Sequence, residues 1–488
     1  MKLKNKAIYV FIGIVFLLNL LHLNKVPIAW IDEIMLIDPA WNFLKTGAFA
    51  GKVWPHEGAE TIFLAYLPLG SFLHFIDLSI FPKELFYTRL PWLIYYIGLC
   101  IFVYKYILAR YMHLPSAALL FIALFIVDEC INNSLRNGRI EMPSMLIIAA
   151  LFYLNIRNIR PSIQAVLLSL LFISHPGFYP IGIVLSLNLL TKKASIFKRL
   201  QYILIIGALP FFYLYMADFN FQTIYEQLVL HGREHDETVV PGQLFYNHFI
   251  GRFLPIYKYQ FWMIGLNILA HVYCIYVIIF RWNPRVQVLE WAFLFTSVFW
   301  YFNLAPFNRY TSILTLMTFL LLPGIIQRIL SVYGYLRVNL KIIKPLQIGL
   351  FVLVLAACSA NFFVRHFTIA QQWNARNEYK VYDWLGQQIP KDKNVLIIDE
   401  AVGFYYAMQH ENISFTLPYA LHKYHVEQYD KIYYLTLRDS NTSAQLINTY
   451  SCKDEIKYKL SNQKILTYNG LKLYEIKSDS ELKEIWRK

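Results

Sequence analysis

Three carboxylates directly follow the first long apolar run of the chain, in the stretch PIAWIDEIMLIDPAWNFLKTG from Pro27 to Gly47. They are Asp32, Glu33 and Asp38. Carboxylates beside an apolar run of this length are costly and normally have a function. Their Trp, Ile, Met and Leu neighbours would desolvate a carboxylate and raise its affinity for a proton. Such a carboxylate suits a general base that accepts a proton from an attacking hydroxyl group.

Cationic and further acidic residues stand near the ends of later apolar runs. They are Lys83 and Arg89 at the second run, Arg309 and Tyr310 at the tenth, and Asp128, Glu129, Arg136, Arg139 and Glu141 between the third and fourth. Guanidinium groups match phosphate oxygens in paired geometry. If the ends of these runs meet, the residues ring one cavity that carries both signs of charge. Such a cavity fits a lipid that bears a phosphate.

Several of these residues also have a purely structural interpretation. Asp32 and Glu33 would cap a surface helix or pair with loop cations. Lys83 and Arg89 would reach toward lipid headgroups, and Tyr310 would belong to an aromatic belt at the membrane interface. The combination of an acidic pair after the first run with arginines at later runs favours a functional site.

Composition restricts the class of protein. The chain of 488 residues is 57% hydrophobic and 17% aromatic, with only 16% charged residues. This is far more apolar than a soluble globular chain, so we predict a mainly α, polytopic membrane protein. The net charge of +14 does not indicate nucleic-acid binding, because most basic residues lie in short loops between apolar runs.

Eleven apolar runs are long enough, or nearly so, to cross a bilayer. They occupy about residues 7–23, 86–108, 115–128, 142–156, 162–174, 177–190, 199–217, 260–280, 288–305, 310–330 and 346–364. Residues 62–80 are also apolar, and we interpret them as a helix on the outer surface. With the N-terminus in the cytoplasm, the cytoplasmic segments are rich in Lys and Arg and contain Glu290 as their one acidic residue. The C-terminus is then extracytoplasmic.

The composition changes beyond residue 364. Residues 365–488 carry charges at ordinary density, and Val395–Ile398 and Ile432–Leu435 are typical of strands separated by a helix. We predict a membrane domain over residues 1–364, with outer loops at 24–85 and 218–259, and a small soluble α/β domain over 365–488.

The order of several motifs resembles that of integral membrane GT-C glycosyltransferases. They are WIDEIMLIDPAWNFLKTGAF, YLPLGSFLHFI, YTRLPWLIYYIG, NGRIEMPSMLIIAALFYL and SHPGFYPIGIVLSL. The most similar members are bacterial transferases related to lipid A aminoarabinose transferase and to protein O-mannosyltransferases. The resemblance covers roughly residues 7–330. It implies location in a bacterial plasma membrane, a polyprenyl-phosphate sugar as donor, and a lipid, glycan or protein acceptor.

The resemblance also implies roles for particular residues. Asp32 of the Asp-Glu pair matches the catalytic base, and Glu33 and Glu141 accompany it. Glu141 occupies a place where relatives often have Asp, and Asp128 and Glu129 are the alternatives for its role. The lipid phosphate and the sugar would be bound by Lys83, Arg89, Arg139, His175, Arg309 and Tyr310. A divalent metal ion, if one is used, would bind at Asp32 and Asp128. A single displacement at the anomeric carbon would invert its configuration.

Two other functions stay open. A transporter or flippase for lipid-linked saccharides would also have many spans and polar groups within the membrane region. Its charges should lie near the middle of the bilayer, whereas here we predict the acidic residues outside. An assembly scaffold is the third possibility, although it does not explain the clustered acidic residues.

Overall fold

The structure is a computed structural model that describes most of the chain. The described residues are 2–24, 31–54, 58–59, 61–64, 66–110, 115–136, 138–192, 194–227, 261–280, 287–303, 311–335, 378–399, 401–436, 445–450, 456–459, 465–468 and 471–477, with isolated positions at 349–367 and 481–485. The predicted mainly helical fold is confirmed in this part of the chain.

Helices form the N-terminal three quarters of the molecule. They are α1 (Lys2–Leu20), α2 (Ile31–Thr46), α3 (Leu69–Ile80), α4 (Leu85–Arg110), α5 (Pro115–Val127), α6 (Glu129–Leu135), α7 (Glu141–Arg157), α8 (Pro161–Phe172), α9 (Tyr179–Thr191), α10 (Ile196–Met216), α11 (Phe221–Tyr225), α12 (Phe261–Phe280), α13 (Val288–Asn303) and α14 (Thr311–Tyr335). The first ten predicted apolar runs each coincide with one of these helices. The eleventh, 346–364, lies almost entirely outside the described residues.

Three of the described helical segments are long and apolar enough to cross a bilayer, namely Leu85–Arg110, Ile196–Met216 and Ser312–Ile329. Several other apolar helices are shorter, so the number of crossings and the orientation of the termini stay predictions. Helix α3 has 12 residues. It is therefore about 18 Å long, too short for a hydrocarbon core of about 30 Å. The surface location of residues 62–80 stays a prediction, because α8, which was predicted to cross the membrane, also has 12 residues.

Helices α4 and α7 pack closely side by side. A Cβ atom added at Gly98 of α4 would lie 3.1 Å from Cδ1 of Leu146 in α7. The rings of Phe102 and Tyr153 continue the contact, with 5.9 Å between their centroids. At the other end of α4, Arg110 donates to Glu290 of α13 over 2.7 Å. The one acidic residue of the predicted cytoplasmic segments is thus neutralised by an ion pair.

Helix α10 presents an apolar face outward. Phe197, Leu204, Phe211 and Tyr215 are exposed, while Tyr202 and Tyr213 are its buried side chains. Water disfavours a contiguous apolar surface of this size. An exposed apolar face on a helix long enough to cross a bilayer is what a membrane-spanning helix requires.

The C-terminal part contains a mixed sheet and short helices. Helices α15 (Glu378–Gln388) and α16 (Val402–Ala407) accompany strands β1 (Val395–Ile398), β2 (Ile413–Thr416), β3 (Lys431–Thr436), β4 (Gln445–Tyr450), β5 (Ile456–Lys459), β6 (Ile465–Tyr468) and β7 (Leu471–Ile476). The main sheet has the order β2-β1-β3-β7-β4. Strand β1 is parallel to β2 and β3, whereas β7 is antiparallel to β3 and β4. The strands predicted at 395–398 and 432–435 are both present.

The sheet shares a hydrophobic core with the N-terminal part. Ile34 and Met35 of α2 belong to the same buried cluster as Val395, Ile397 and the residues around them. Polar contacts flank this cluster: the Lys45 ammonium donates to the Glu411 carbonyl over 3.4 Å, and the Thr88 and Tyr405 hydroxyls are 3.4 Å apart. The C-terminal part is therefore packed onto α2 and the start of α4. Its status as a separate soluble domain stays a prediction.

Candidate functional site

A buried ion pair joins α2 to α4 at the predicted site. Arg89 donates through Nε to Oε1 of Glu33 and through Nη2 to Oε2, each over 2.8 Å. Glu33 is 1% exposed and Arg89 is fully buried. Glu33 lies in the first turn of α2, where the helix dipole favours an acidic group. The bidentate geometry fixes the carboxylate relative to α4.

The end of α1 is held by the same arginine and by a second one. Nη1 of Arg89 donates to the Leu23 carbonyl over 2.9 Å, and Nη2 of Arg136 donates to the Leu21 carbonyl over 2.9 Å. Nη1 of Arg136 donates to the Asn19 carbonyl as well. The last carbonyls of a helix have no partner within it. Arg136 supplies such a partner to Asn19 in the last turn of α1, and the two guanidinium groups bind Leu21 and Leu23 in the turn that follows the helix.

The segment between α6 and α7 lies against the Glu33 carboxylate. Gly138 has a φ of +61°, and a Cβ atom added there would lie 3.2 Å from Oε1 of Glu33. Both its φ and the close approach favour glycine. Directly after it, Arg139 binds Glu141 with 3.0 Å between Nη2 and Oε1. The predicted residues Glu33 and Arg89 thus contact one another, as do Arg139 and Glu141, and Gly138 connects the two pairs.

Asp38 lies one turn further along α2 and is also buried. Its Oδ1 accepts from Nδ2 of Asn42 over 2.8 Å, and its Oδ2 accepts from the Val53 amide over 3.1 Å. Burial raises the pKa of Asp38 to about 7, although these hydrogen bonds act in the opposite direction. Burial, and to a lesser extent the charge of Asp38, raises the pKa of Tyr424 in the C-terminal part. Asp38 therefore lies near the surface where α2 meets the sheet.

Other predicted site residues have local partners. The Lys83 ammonium lies 4.2 Å from the centroid of the Trp41 ring. Nδ1 of His175 accepts from the Gly177 amide over 3.0 Å and caps a short 3-10 helix. Oδ1 of Asp128 accepts from the Ile131 amide over 3.1 Å as the N-cap of α6. None of these contacts joins His175 or Asp128 to the Glu33–Arg89 pair.

Part of the predicted constellation lies outside the described residues. The backbone of Asp32 is described in the first turn of α2, but its side chain is not, and the same holds for Glu129 in α6. Arg309, Tyr310 and residues 228–260 are also outside the description. Among the described residues no three His, Cys, Asp or Glu side chains cluster as metal ligands. The metal site at Asp32 and Asp128 therefore stays a prediction.

Arg136 was predicted to line the cavity together with Arg139, but it was given no role in binding or catalysis. Its acceptors are main-chain carbonyls at the end of a distant helix. Side-chain types and spacing carry no signal for such a contact. Residues 128–141 hold two arginines and three acidic residues, so the charge balance of the segment was no indication either.

The path of the chain matches two solved structures over nearly its whole length. ArnT from Cupriavidus metallidurans in the apo state superposes with a TM-score of 0.58 at 11% identity, over 96% of this chain and 97% of that one. ArnT from the same organism bound to undecaprenyl phosphate gives a TM-score of 0.58 at 10% identity, over 97% and 98%. The chain has the fold of ArnT. The predicted resemblance to lipid A aminoarabinose transferase is thereby confirmed as a likeness of fold.

No protein-family model matches the chain, and no curated protein sequence matches it. The ArnT fold spans the helical part and the C-terminal sheet together, since nearly all of both chains is covered. A shared fold does not by itself transfer a function, which has to be argued from the site.

Proposed function

We propose that this protein is an integral membrane glycosyltransferase that moves a sugar from a polyprenyl-phosphate carrier to an acceptor on the extracytoplasmic face. The observation that carries the proposal is the buried Glu33–Arg89 pair beside Asp32, at the junction of α1, α2 and α4. The likeness to ArnT supports it, because one of the matched ArnT structures is bound to undecaprenyl phosphate. A polyprenyl phosphate is the carrier that a site with arginines and carboxylates near a membrane surface would suit.

The proposed reaction is one displacement. A hydroxyl or amine of the acceptor attacks the anomeric carbon, the new bond forms, and the bond from that carbon to the phosphate oxygen breaks. Asp32 accepts the proton of the nucleophile, and the polyprenyl phosphate leaves with the bonding electrons. The sugar configuration inverts because there is a single substitution.

The ion pairs support the assignment of Asp32 as the base. Both carboxylate oxygens of Glu33 accept from Arg89, and both carboxylate oxygens of Glu141 accept from Arg139. Carboxylates that are engaged in this way are poor proton acceptors, because protonation would break a charge-assisted hydrogen bond. We assign Glu33 and Glu141 to orienting the two arginines and Asp32 to taking the proton. Asp38 also has a raised pKa, but both of its carboxylate oxygens are held by Asn42 and the Val53 amide.

Cationic groups stabilise the leaving phosphate in this proposal. Negative charge grows on the phosphate as its bond to the sugar breaks, and fixed positive charges favour that transition state. Arg139 and Lys83 are the described candidates and Arg309 is a predicted one, while Tyr310 would donate a hydrogen bond from its uncharged hydroxyl group. Three donor groups of Arg89 are bound to Glu33 and Leu23. In this proposal Arg89 therefore acts on the phosphate through its positive charge and not by a direct hydrogen bond.

The test is a transfer assay with a matched pair of variants. The purified protein in liposomes is given a panel of polyprenyl-phosphate sugars with lipid, glycan and peptide acceptors, and release of free polyprenyl phosphate is followed. Asp32→Asn should abolish release while leaving carrier binding intact. Asp218→Asn changes an exposed aspartate beyond α10 and should release phosphate at the wild-type rate.

Two results would contradict the proposal. Normal turnover by the Asp32→Asn variant would remove the assigned base. Movement of a labelled lipid-linked sugar across the membrane by the wild-type protein, without release of phosphate, would favour the flippase alternative.

A further inference from the structure

Two stacked aromatic rings hold the segment that lies against Glu33. The His74 ring of α3 stacks on the Trp92 ring of α4, with 4.3 Å between centroids and an angle of 19° between the planes. Both side chains are fully buried. Nε2 of His74 lies 3.2 Å from the Gly138 carbonyl oxygen, and Nε1 of Trp92 donates to the Arg139 carbonyl. Two successive carbonyls are thus each bound by one ring of the stack.

The chemistry of the acceptor defines the His74 tautomer. A carbonyl oxygen only accepts, so Nε2 carries the hydrogen. Burial lowers the pKa of His74 to about 3, so the ring is neutral at physiological pH and Nδ1 carries no proton. The His74 contact is therefore a hydrogen bond from a neutral ring, and its Nδ1 lies 4.0 Å from Oδ2 of Asp77, whose pKa burial raises to about 7.

The two rings are linked to the ion pair through α4. Trp92 follows Arg89 by three residues, so both lie on the same face of the helix. Arg89 binds Glu33 on that face, and Trp92 binds the carbonyl of Arg139. Gly138 lies between these contacts, and a Cβ atom added there would lie 3.2 Å from Oε1 of Glu33.

We propose that His74 and Trp92 are positioning residues for the proposed transfer reaction. They fix the main chain of Gly138 and Arg139, and through it the direction of the Glu33 carboxylate and of the Arg139–Glu141 pair, without contacting substrate. This inference rests on the proposed function. It assigns to α3, which supplies no predicted site residue, a part in organising the charges around Asp32.

Three substitutions separate the hydrogen bonds from the packing. Trp92→Phe keeps an aromatic ring in the stack and removes its N–H. His74→Leu removes the donor, whereas His74→Gln keeps an amide donor at a similar distance along the side chain. His271→Leu is the matched control, because His271 is another ring packed among aromatic side chains and its Nδ1 lies 2.7 Å from the Asn267 carbonyl of its own helix.

The first measurement is hydrogen exchange of the backbone amides of residues 136–146, on the full chain in detergent. Loss of one hydrogen bond should increase local opening about fivefold. We expect this increase in Trp92→Phe and His74→Leu, and no change in His271→Leu. Unchanged exchange in the first two variants would overturn the positioning role and would leave the proposed function intact.

The second measurement is steady-state transfer with the donor found for the wild-type protein. We expect kcat to fall at least tenfold in Trp92→Phe and His74→Leu, with KM for the donor changed less than twofold, and His74→Gln to recover most of kcat. Equal losses in His74→Gln and His74→Leu, in proportion to a fall in Tm, would show a merely structural role and overturn the inference. If the amide hydrogen exchange is as expected but the wild-type protein transfers no sugar, the proposed function is contradicted, and the positioning role with it.

Discussion

Replacement of Glu33 by Gln tests the central ion pair. The substitution preserves the shape of the side chain and one acceptor oxygen, but it removes the negative charge that faces Arg89. Glu33 and Arg89 are 1% and 0% exposed, so water cannot replace the lost carboxylate. The variant would contain a buried guanidinium group without a counter-charge on Glu33.

The expected loss in the free energy of unfolding follows from the two hydrogen bonds between Glu33 and Arg89. Arg89 makes two charge-assisted bonds of 2.8 Å to Glu33, and bonds to charged groups contribute roughly 1.5–3 kcal/mol each. Glutamine keeps one of them in weakened form, and its NH2 group faces a second donor. Breaking a buried pair by removing one partner typically costs about 3–5 kcal/mol. We expect Glu33→Gln to lower the free energy of unfolding by about 3 kcal/mol.

The assay is the free energy of unfolding in detergent micelles, measured by titration with SDS. Glu427→Gln is the control, because its carboxylate pairs with His425 at 3.5 Å on an exposed surface, and exposed pairs contribute little. The double variant Glu33→Gln with Arg89→Met should lose at least about 1 kcal/mol less than the sum of the single losses, since it removes both charges. A loss in Glu33→Gln no greater than in Glu427→Gln would refute the reasoning.

Three further outcomes are expected. Gly138→Ala should lower Tm and turnover together, because a left-handed φ costs about 1–2 kcal/mol for a residue with a Cβ atom and the added atom would press on Glu33; calorimetry and the transfer assay check this. Asp38→Asn should flatten the dependence of the free energy of unfolding on pH, which SDS titrations between pH 3.8 and about 7 measure. The raised pKa of about 7 means that the stabilisation from protonated Asp38 is fully present below pH 3.8 and is lost as the pH rises to about 7. Arg136→Met should destabilise the chain by about 2–3 kcal/mol through the loss of its bonds to the end of α1, whereas the same change at exposed Arg157 should have little effect in the same titration.

Much of the helical part was predictable because it depends on length and apolar content. Runs such as 142–156 and 199–217 are too long and too apolar for strands, and both are helices. In the C-terminal part, the VLII run at Val395 predicted a buried strand, since parallel strands covered on both faces are continuously apolar. All four residues of that strand are buried.

The contacts of the site were less predictable. Arg89 was expected to bind lipid phosphate, but no residue pattern indicated that Glu33 and the chain after α1 would occupy its donors. His74 was unremarkable in an apolar helix, where a histidine has no periodic pattern to reveal its partner. The shared core of α2 and the sheet was equally hidden, because the residues that form it are more than 300 positions apart. Each of these features depends on how distant segments meet.

The low identity to ArnT is consistent with the way such a fold is specified. A bundle of apolar helices depends on pattern and volume more than on particular side chains, so two sequences can diverge widely and still share a chain path. Charged groups at helix ends do not have that freedom when they are buried, since each needs a partner of opposite charge or a carbonyl. In this chain Glu33, Arg89, Arg136, Arg139 and Glu141 all have such partners. The charges around Asp32 are therefore held in place by this chain's own residues. Substitutions at these residues test the geometry of the charges and not the shared fold.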